Sequence, residues 1–121
     1  MSKQKKELGQ TGEELAAQYL LKKGYQIIAR NVRYRTGELD IVAQDGDELV
    51  FVEVRTRRST TYGTPGESIT WRKQKKVREL ALTYIQQEKR QTRSFRFDVV
   101  LVVVDHVYAT EASIEHIVHA F

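Results

Sequence analysis

The sequence predicts an α/β fold, a mixed sheet flanked by helices in the order helix, three strands, helix, then one or two strands. Three observations predict it. Two segments carry apolar residues at helical spacing. Between them, two β-forming runs flank the tight-turn signal Asp45-Gly46-Asp47. An apolar run, Phe95 to Val104, follows the second helix. At 121 residues the chain is expected to form one domain (1–121) with a proper core, residues 1–10 being flexible.

The first helix is expected from Glu13 to Lys23, with Thr11 and Glu14 as a capping box, Gly24 as the stop, and Lys22 and Lys23 at the carboxyl end. Its apolar stripe is Leu15, Ala16, Tyr19 and Leu20. Glu13 precedes Ala16, Ala17 and Leu20 at helical spacing, so it lies along that inward stripe, whereas Glu14 is taken up by the cap. A strand around Tyr25 to Arg33 leads into the hairpin. With Gly46-Asp47 as its loop, Asp45 pairs with Glu48, Val42 with Phe51, Asp40 with Glu53 and Glu38 with Arg55. A loop at Asp45-Gly46 slides the pairing but keeps the two faces. One face reads Leu39, Ile41, Ala43, Val50, Val52, Val54, and the other carries Glu38, Asp40, Glu53 and Arg55.

Thr56 to Glu67, which holds the only proline, Pro65, reads as a mobile loop. The second helix spans about Trp71 to Lys89 behind a Thr70 cap, with Val77, Leu80, Ala81, Tyr84 and Ile85 facing inward. Lys73 sits one turn before Val77 and shares that face, whereas Lys75 and Lys76 point elsewhere. Phe95 to Val104 is apolar on both faces and reads as a central strand. A strand–helix–strand step into it from the hairpin implies a right-handed crossover and a parallel pair. Ser113 to Ala120 alternates weakly and is expected to form a last strand.

The absence of cysteine excludes disulfides and thiolate metal sites. No apolar run is long enough to span a bilayer, and Met1 to Gln10 carries no apolar signal core, so a cytoplasmic location is expected. Lysine and arginine total 20 against 16 acids, and they cluster. Arg30, Arg33 and Arg35 precede the hairpin, and Arg55, Arg57 and Arg58 follow its second strand. Arg72, Lys73, Lys75, Lys76 and Arg78 crowd one helix start, and Lys89, Arg90, Arg93 and Arg96 lie beyond it. Such clustering is the footprint of a polyanion-binding surface, with a solubility face as the plain alternative at a net charge of +4. Nucleic acid is favoured over membrane because the basic helix lacks the bulky apolar face of an interfacial anchor.

Two acids directly opposite one another destabilise a ladder. A divalent cation with oxygen ligands between Asp40 and Glu53 would relieve the repulsion. A solvated polar face explains the same residues without function. His106, His116 and His119 lack ligand partners at useful spacing and read as surface or edge-strand residues. Trp71 and Tyr62 could stack on bases, but core packing for Trp71 and an incidental loop position for Tyr62 serve equally well.

Gly37-Glu38-Leu39-Asp40-Ile41-Val42 followed by Phe51-Val52-Glu53-Val54-Arg55 resembles the metal-binding core of the PD-(D/E)xK nuclease superfamily. The chain from Gly12-Glu13-Glu14-Leu15-Ala16-Ala17 through Arg96-Phe97-Asp98-Val99-Val100 resembles the small YraN-type bacterial family, which is itself similar to archaeal Holliday-junction resolvases. Asn31-Val32-Arg33 and Lys73-Gln74 add to the match.

The resemblance implies a restriction-endonuclease-like fold (αβββαβ) and a metal-dependent endonuclease acting on structured or branched DNA, with Mg²⁺ or Mn²⁺ as cofactor. It implies that Asp40 and Glu53 bind the metal, that the carbonyl of Val54 is a further ligand, and that Glu13 is the glutamate that resolvase-type members add. The implied partner is DNA, with RNA second; no membrane is implied, and a homodimer suits a four-way junction with two symmetric cuts.

Arg55 departs from the pattern. The superfamily has a lysine there that orients or deprotonates the attacking water, whereas an arginine stays protonated and can only clamp phosphate and offset charge. Lys73 could supply the missing ammonium, or be a solvated helix charge. Glu38 is expected to support Arg55, or else to extend the metal site, and Asp98 to be the structural partner of a nearby arginine. Arg33, Arg35, Arg57, Arg58, Arg72, Lys75 and Lys76 are the expected nucleic-acid contacts. Because of Arg55, a catalytically weak or inactive nucleic-acid-binding module of the same fold is the alternative reading.

Overall fold

The computed structural model describes residues 3–58, 69–88, 94–104 and 112–121. Along the chain run α1 (Lys3–Lys22), β1 (Gln26–Tyr34), β2 (Gly37–Asp45), β3 (Glu48–Arg58), α2 (Trp71–Gln87), β4 (Phe95–Val104) and β5 (Ala112–Ile117). The strands form one five-stranded sheet in the order β1-β2-β3-β4-β5. Its β3–β4 pair is parallel and its other pairs are antiparallel, so the sheet is mixed as expected. The helices flank it, an α/β architecture compatible with a restriction-endonuclease-like fold.

Alternation along the strands builds two cores. On one face Ile41, Ala43, Val50, Val52, Val100 and Val102 pack with Ala16, Ala17 and Leu20 of α1. On the other, Val42, Leu49, Phe51 and Phe97 pack with Val77, Leu80, Ala81 and Tyr84 of α2. The hairpin takes the register with Gly46-Asp47 as its loop, since Asp45 pairs with Glu48 and Val42 with Phe51. Gly46 adopts φ 61°, a left-handed backbone that glycine enters without penalty. β4 pairs on both sides and is buried along most of its length, as an apolar run requires.

Several boundaries differ from expectation. Helix α1 begins at Lys3 rather than Glu13, so Thr11 lies inside it and forms no amino-terminal cap. Glu14 is drawn to Arg30, 2.9 Å away, and to Gln18 at 3.2 Å. Lysine, glutamine and glutamate are good helix formers, which lets the helix continue back across Gly9 and Gly12. Strand β3 continues to Arg58 because Thr56 to Arg58 pair with Val102 to Val104, so the start of the expected loop is strand. The rest of that loop, with Tyr62 and Pro65, lies outside the described residues, as do Lys89, Arg90, Arg93 and His106. Helix α2 ends at Gln87, and Thr70 caps it by accepting the Lys73 N–H at 3.2 Å.

Gly12 is where α1 meets β3. A Cβ built there would collide with the β-branched side chain of Thr56, whereas one at Gly9 meets open space. Gly12→Ala is therefore expected to destabilise the protein by about 1–3 kcal/mol through overpacking, and Gly9→Ala to stabilise it by up to about 1 kcal/mol. Equal effects of the two changes in urea unfolding would contradict this packing.

Arg96 anchors a buried polar network near the hairpin loop. Its guanidinium donates to Asp98 Oδ1 at 3.0 Å, Glu48 Oε1 at 2.7 Å, Asp45 Oδ2 at 3.1 Å and the Tyr25 hydroxyl at 2.6 Å. Asp98 also accepts the His119 N–H at 3.2 Å and faces His116 Nε2 at 2.7 Å. Burial alone would raise the Asp98 carboxyl; hydrogen bonds from His116 and Arg96 outweigh it and hold the group below its usual range. The expected arginine partner of Asp98 is thus Arg96. His116 lies on the edge strand β5, but its imidazole is buried against Asp98 rather than on the surface.

Candidate metal centre

The carboxyl ends of β1 and β3 and the amino ends of β2 and α2 come together, as the antiparallel β1–β2 and β2–β3 pairings require. The β2–β3 ladder stops at Ile41 and Val52. One residue further, Asp40 leaves the ladder pattern and its Oδ2 accepts the Val54 N–H at 2.9 Å. The side-chain alternation breaks at the same level. Val32 and Leu39, which pair, both belong to the α2-side cluster, although a period of two places Leu39 with Ile41 on the α1 side.

This corrects the expected facial assignment of Leu39. The change of face coincides with the step between the pairs Arg30–Ile41 and Val32–Leu39, where Asn31 adopts φ 52°. Asparagine is among the few residues that tolerate this left-handed region. At this level Asp40 meets groups from both sides of the sheet.

On the α1 side, oxygens of Glu13, Glu38 and Asp40 all lie within 4.8 Å of one another. The Asn31 side chain hydrogen-bonds Glu13. On the α2 side, Asp40 lies close enough to the buried Glu53 for its charge to raise that carboxyl, and Lys73 Nζ stands 3.6 Å from Glu53 Oε1. Glu13, Asp40, Glu53 and Lys73 are therefore brought together by one helix, two strands and a second helix.

Glu38 does not support Arg55. It pairs with Arg33 at 3.3 Å, its neighbour across the β1–β2 ladder, because the β2–β3 ladder ends before reaching it. Arg55 is exposed, though its charge still favours the ionised form of Glu53. Asn31 is the residue whose role the sequence reading missed. An asparagine inside a strand-forming run, where it is disfavoured, was the available signal.

The acids hold protons abnormally well. Burial, reinforced by Asp40, pushes the Glu53 carboxyl up to about 7 against the opposing charge of Lys73. Burial likewise raises Asp40, despite the Val54 N–H, and raises Glu13, with the charges of Asp40 and Glu38 adding to it. Glu13, Glu38 and Asp40 each place an oxygen close enough to share one ion, with Glu53 adjoining Asp40, and together they offer a donor set of hard oxygens. Such a set fits Mg²⁺, Mn²⁺ or Ca²⁺ rather than a soft metal. Glu13, Glu38, Asp40 and Glu53 are the side chains that could hold one.

Beside the acids, an open cleft of about 600 Å³ is bounded by the β1–β2 turn, including Arg33 and Arg35, and by Lys73. The turn leans on α2 at Gly37, where a Cβ would stand 3.1 Å from Leu80 Cδ1. Arg57 and Arg58 lie half-buried at the end of β3, and Arg72 and Lys75 are exposed on α2. Lys76 is partly engaged by Glu79 at 3.9 Å. The cations expected to contact nucleic acid thus stand on the elements that converge at the acidic cluster.

A mixed sheet flanked by helices, with carboxylates from a helix and two strands gathered at one end, defines an α/β protein with a candidate cation site. This chain belongs to the YraN-like family UPF0102, whose model, described as "Uncharacterised protein family UPF0102", matches residues 12–102. It is 47% identical over 114 residues to a UPF0102 protein of Rhodococcus opacus, covering 94% of this chain and 95% of that one. UPF0102 protein STH1475 of Symbiobacterium thermophilum is 53% identical over 95 residues, 78% of this chain and 80% of its own. A UPF0102 protein of Pelotomaculum thermopropionicum is 46% identical across the full length of both. No helix of the described residues is long and apolar enough to cross a membrane.

Proposed function

We propose that this protein is a metal-dependent endonuclease that hydrolyses phosphodiester bonds in structured or branched DNA, with Mg²⁺ or Mn²⁺ as cofactor. The observation that carries this reading is Asp40, linked to Glu13 and Glu38 on one side and to Glu53 and Lys73 on the other, inside a basic rim. The ion, when bound, would lower the pKa of a water and offset charge on the phosphate.

The chain's own groups do the rest. Lys73 can donate a hydrogen bond to the attacking water or the phosphate from beside Glu53, the task that Arg55, fixed in its protonated state, performs only in part. Arg33 and Arg35 on one bank, with Arg72 and Lys75 on the other helix, supply positive charge for the flanking phosphates. The Val54 N–H holds Asp40 in place, leaving the Val54 carbonyl as a candidate ligand. A homodimer would present two such sites to a four-way junction.

The test is incubation of the purified protein with four-way, flapped and linear DNA plus Mg²⁺ or Mn²⁺. Metal-dependent cutting that disappears in Asp40→Ala and in Glu53→Ala is expected. Absence of cutting on every substrate, with salt-sensitive binding that Asp40→Ala leaves unchanged, would instead establish the inactive binding module that Arg55 motivates.

A further inference from the structure

Trp71, the only tryptophan, is the first residue of α2 and is 74% exposed. Tryptophan is normally well buried, so this placement gives up a large hydrophobic gain. The core beneath α2 is filled without it by Val77, Leu80, Ala81 and Tyr84, which removes core packing as its purpose. Its surroundings are cationic. Lys75 Nζ lies 5.7 Å from the centre of its ring, and Arg72 follows it in an exposed position. Two residues on, Lys73 reaches Glu53 in the acidic cluster. Helical spacing puts Trp71 and Lys75 on one face and Lys73 with Val77 on another, so indole and ammonium flank the amino end of α2.

We infer that Trp71 is a stacking platform for an unpaired nucleobase, and that the preferred substrate therefore has a single-stranded or splayed nucleotide near the scissile phosphate. The inference rests on the nuclease reading of the neighbouring carboxylates. An aromatic face among cations matches how single strands are held, with bases stacked on rings and phosphates met by positive charge. Protein-binding aromatics sit instead in apolar patches depleted of lysine. Among the described residues the other large exposed apolar side chains, Leu21, Leu82, Phe95 and Val118, lie on other elements or farther along α2, so none of them builds such a patch around Trp71. A base inside a closed duplex already stacks on its neighbours and has no face to offer, which is why the platform selects an unpaired one.

A single tryptophan makes the test direct. The full-length protein, with EDTA present to prevent cleavage, is titrated with a dye-labelled oligothymidylate and separately with a closed duplex hairpin. Tryptophan emission and dye anisotropy are read together. Emission is expected to fall by about half with the single strand and far less with the duplex. Trp71→Ala is expected to lose roughly tenfold or more in single-strand affinity, with Trp71→Phe retaining most of it. The rise in melting temperature on adding Mn²⁺ reports the carboxylates and serves as the control for a folded variant. Tight binding of oligothymidylate with unchanged emission and unchanged affinity in Trp71→Ala would overturn the platform and leave the nuclease reading standing. Failure of the single strand to bind, in a protein that Mn²⁺ still stabilises, would likewise overturn the platform, while the nuclease reading stands or falls on cleavage of four-way and flapped DNA.

Discussion

Replacing Arg96 by methionine is expected to lower stability by about 3–5 kcal/mol, which in a chain of this size lowers the melting temperature by roughly 10–20 °C. Asp45 and Glu48 lie toward the surface and would simply be hydrated once Arg96 is gone. Asp98 is fully buried and has no such recourse. It would keep only His116 and the His119 N–H, leaving a buried carboxylate without its permanent cation. Arg96→Met with Asp98→Leu is expected to recover most of the loss, because removing both partners leaves no unpaired charge. The measurement is thermal melting of the single and double variants side by side. A single variant that melts with the parent would mean that Arg96 is not the hub its hydrogen bonds suggest.

That network illustrates what the sequence could and could not disclose. Period-two and period-3.6 patterning placed β2, β3, β4 and α2 well, because each buries an apolar face that the sequence must encode. The hairpin and its two faces were legible for the same reason, but the choice of Gly46-Asp47 over Asp45-Gly46 as the loop was not, because both registers keep the same residues on each face. Helix α1 was misjudged at its start. Thr11 and Glu14 have the composition of a cap, yet the helix runs on through them, and Glu14 is drawn to Arg30, 16 residues away on β1.

The candidate site divides along the same line. Glu13 and Lys73 announce their inward direction by helical spacing to Ala17 and Val77, so their meeting near Asp40 and Glu53 could be anticipated. Glu38 could not be assigned, because its partner depends on where the β2–β3 ladder stops. Asn31 stands out locally as an asparagine inside a strand-forming run, but nothing in that signal says that Leu39 on the neighbouring strand packs on the other face. The sequence places His116 only as a surface or edge-strand residue, because its partner Asp98 lies 18 residues away on a neighbouring strand. Long-range polar partners leave no periodicity behind.

Exchanging Asp40 for asparagine is expected to make the metal-free protein more stable while removing its response to metal. The asparagine oxygen can still accept the Val54 N–H, so the change deletes charge and keeps the bond that positions the strand. In the parent, burial and the charge of Asp40 raise Glu53 to about 7, above its unfolded value near 4.5. The folded state therefore binds more protons than the unfolded state between those values, and metal-free stability falls as pH rises from about 4.5 to about 7. Above pH 7 the full penalty of adjacent carboxylates applies. Asp40→Asn removes the repulsive part, worth about 1–2 kcal/mol at pH 8, and flattens the decline. Mn²⁺, which would relieve the same repulsion in the parent, should then raise the melting temperature of the variant little or not at all. On the proposed function, cleavage falls on the order of 10³-fold, the equivalent of about 4 kcal/mol of lost transition-state stabilisation. Melting curves from pH 5 to 8, with and without Mn²⁺, separate these effects. A variant less stable than the parent at pH 8 without metal would show that Asp40 is held by contacts its charge does not oppose.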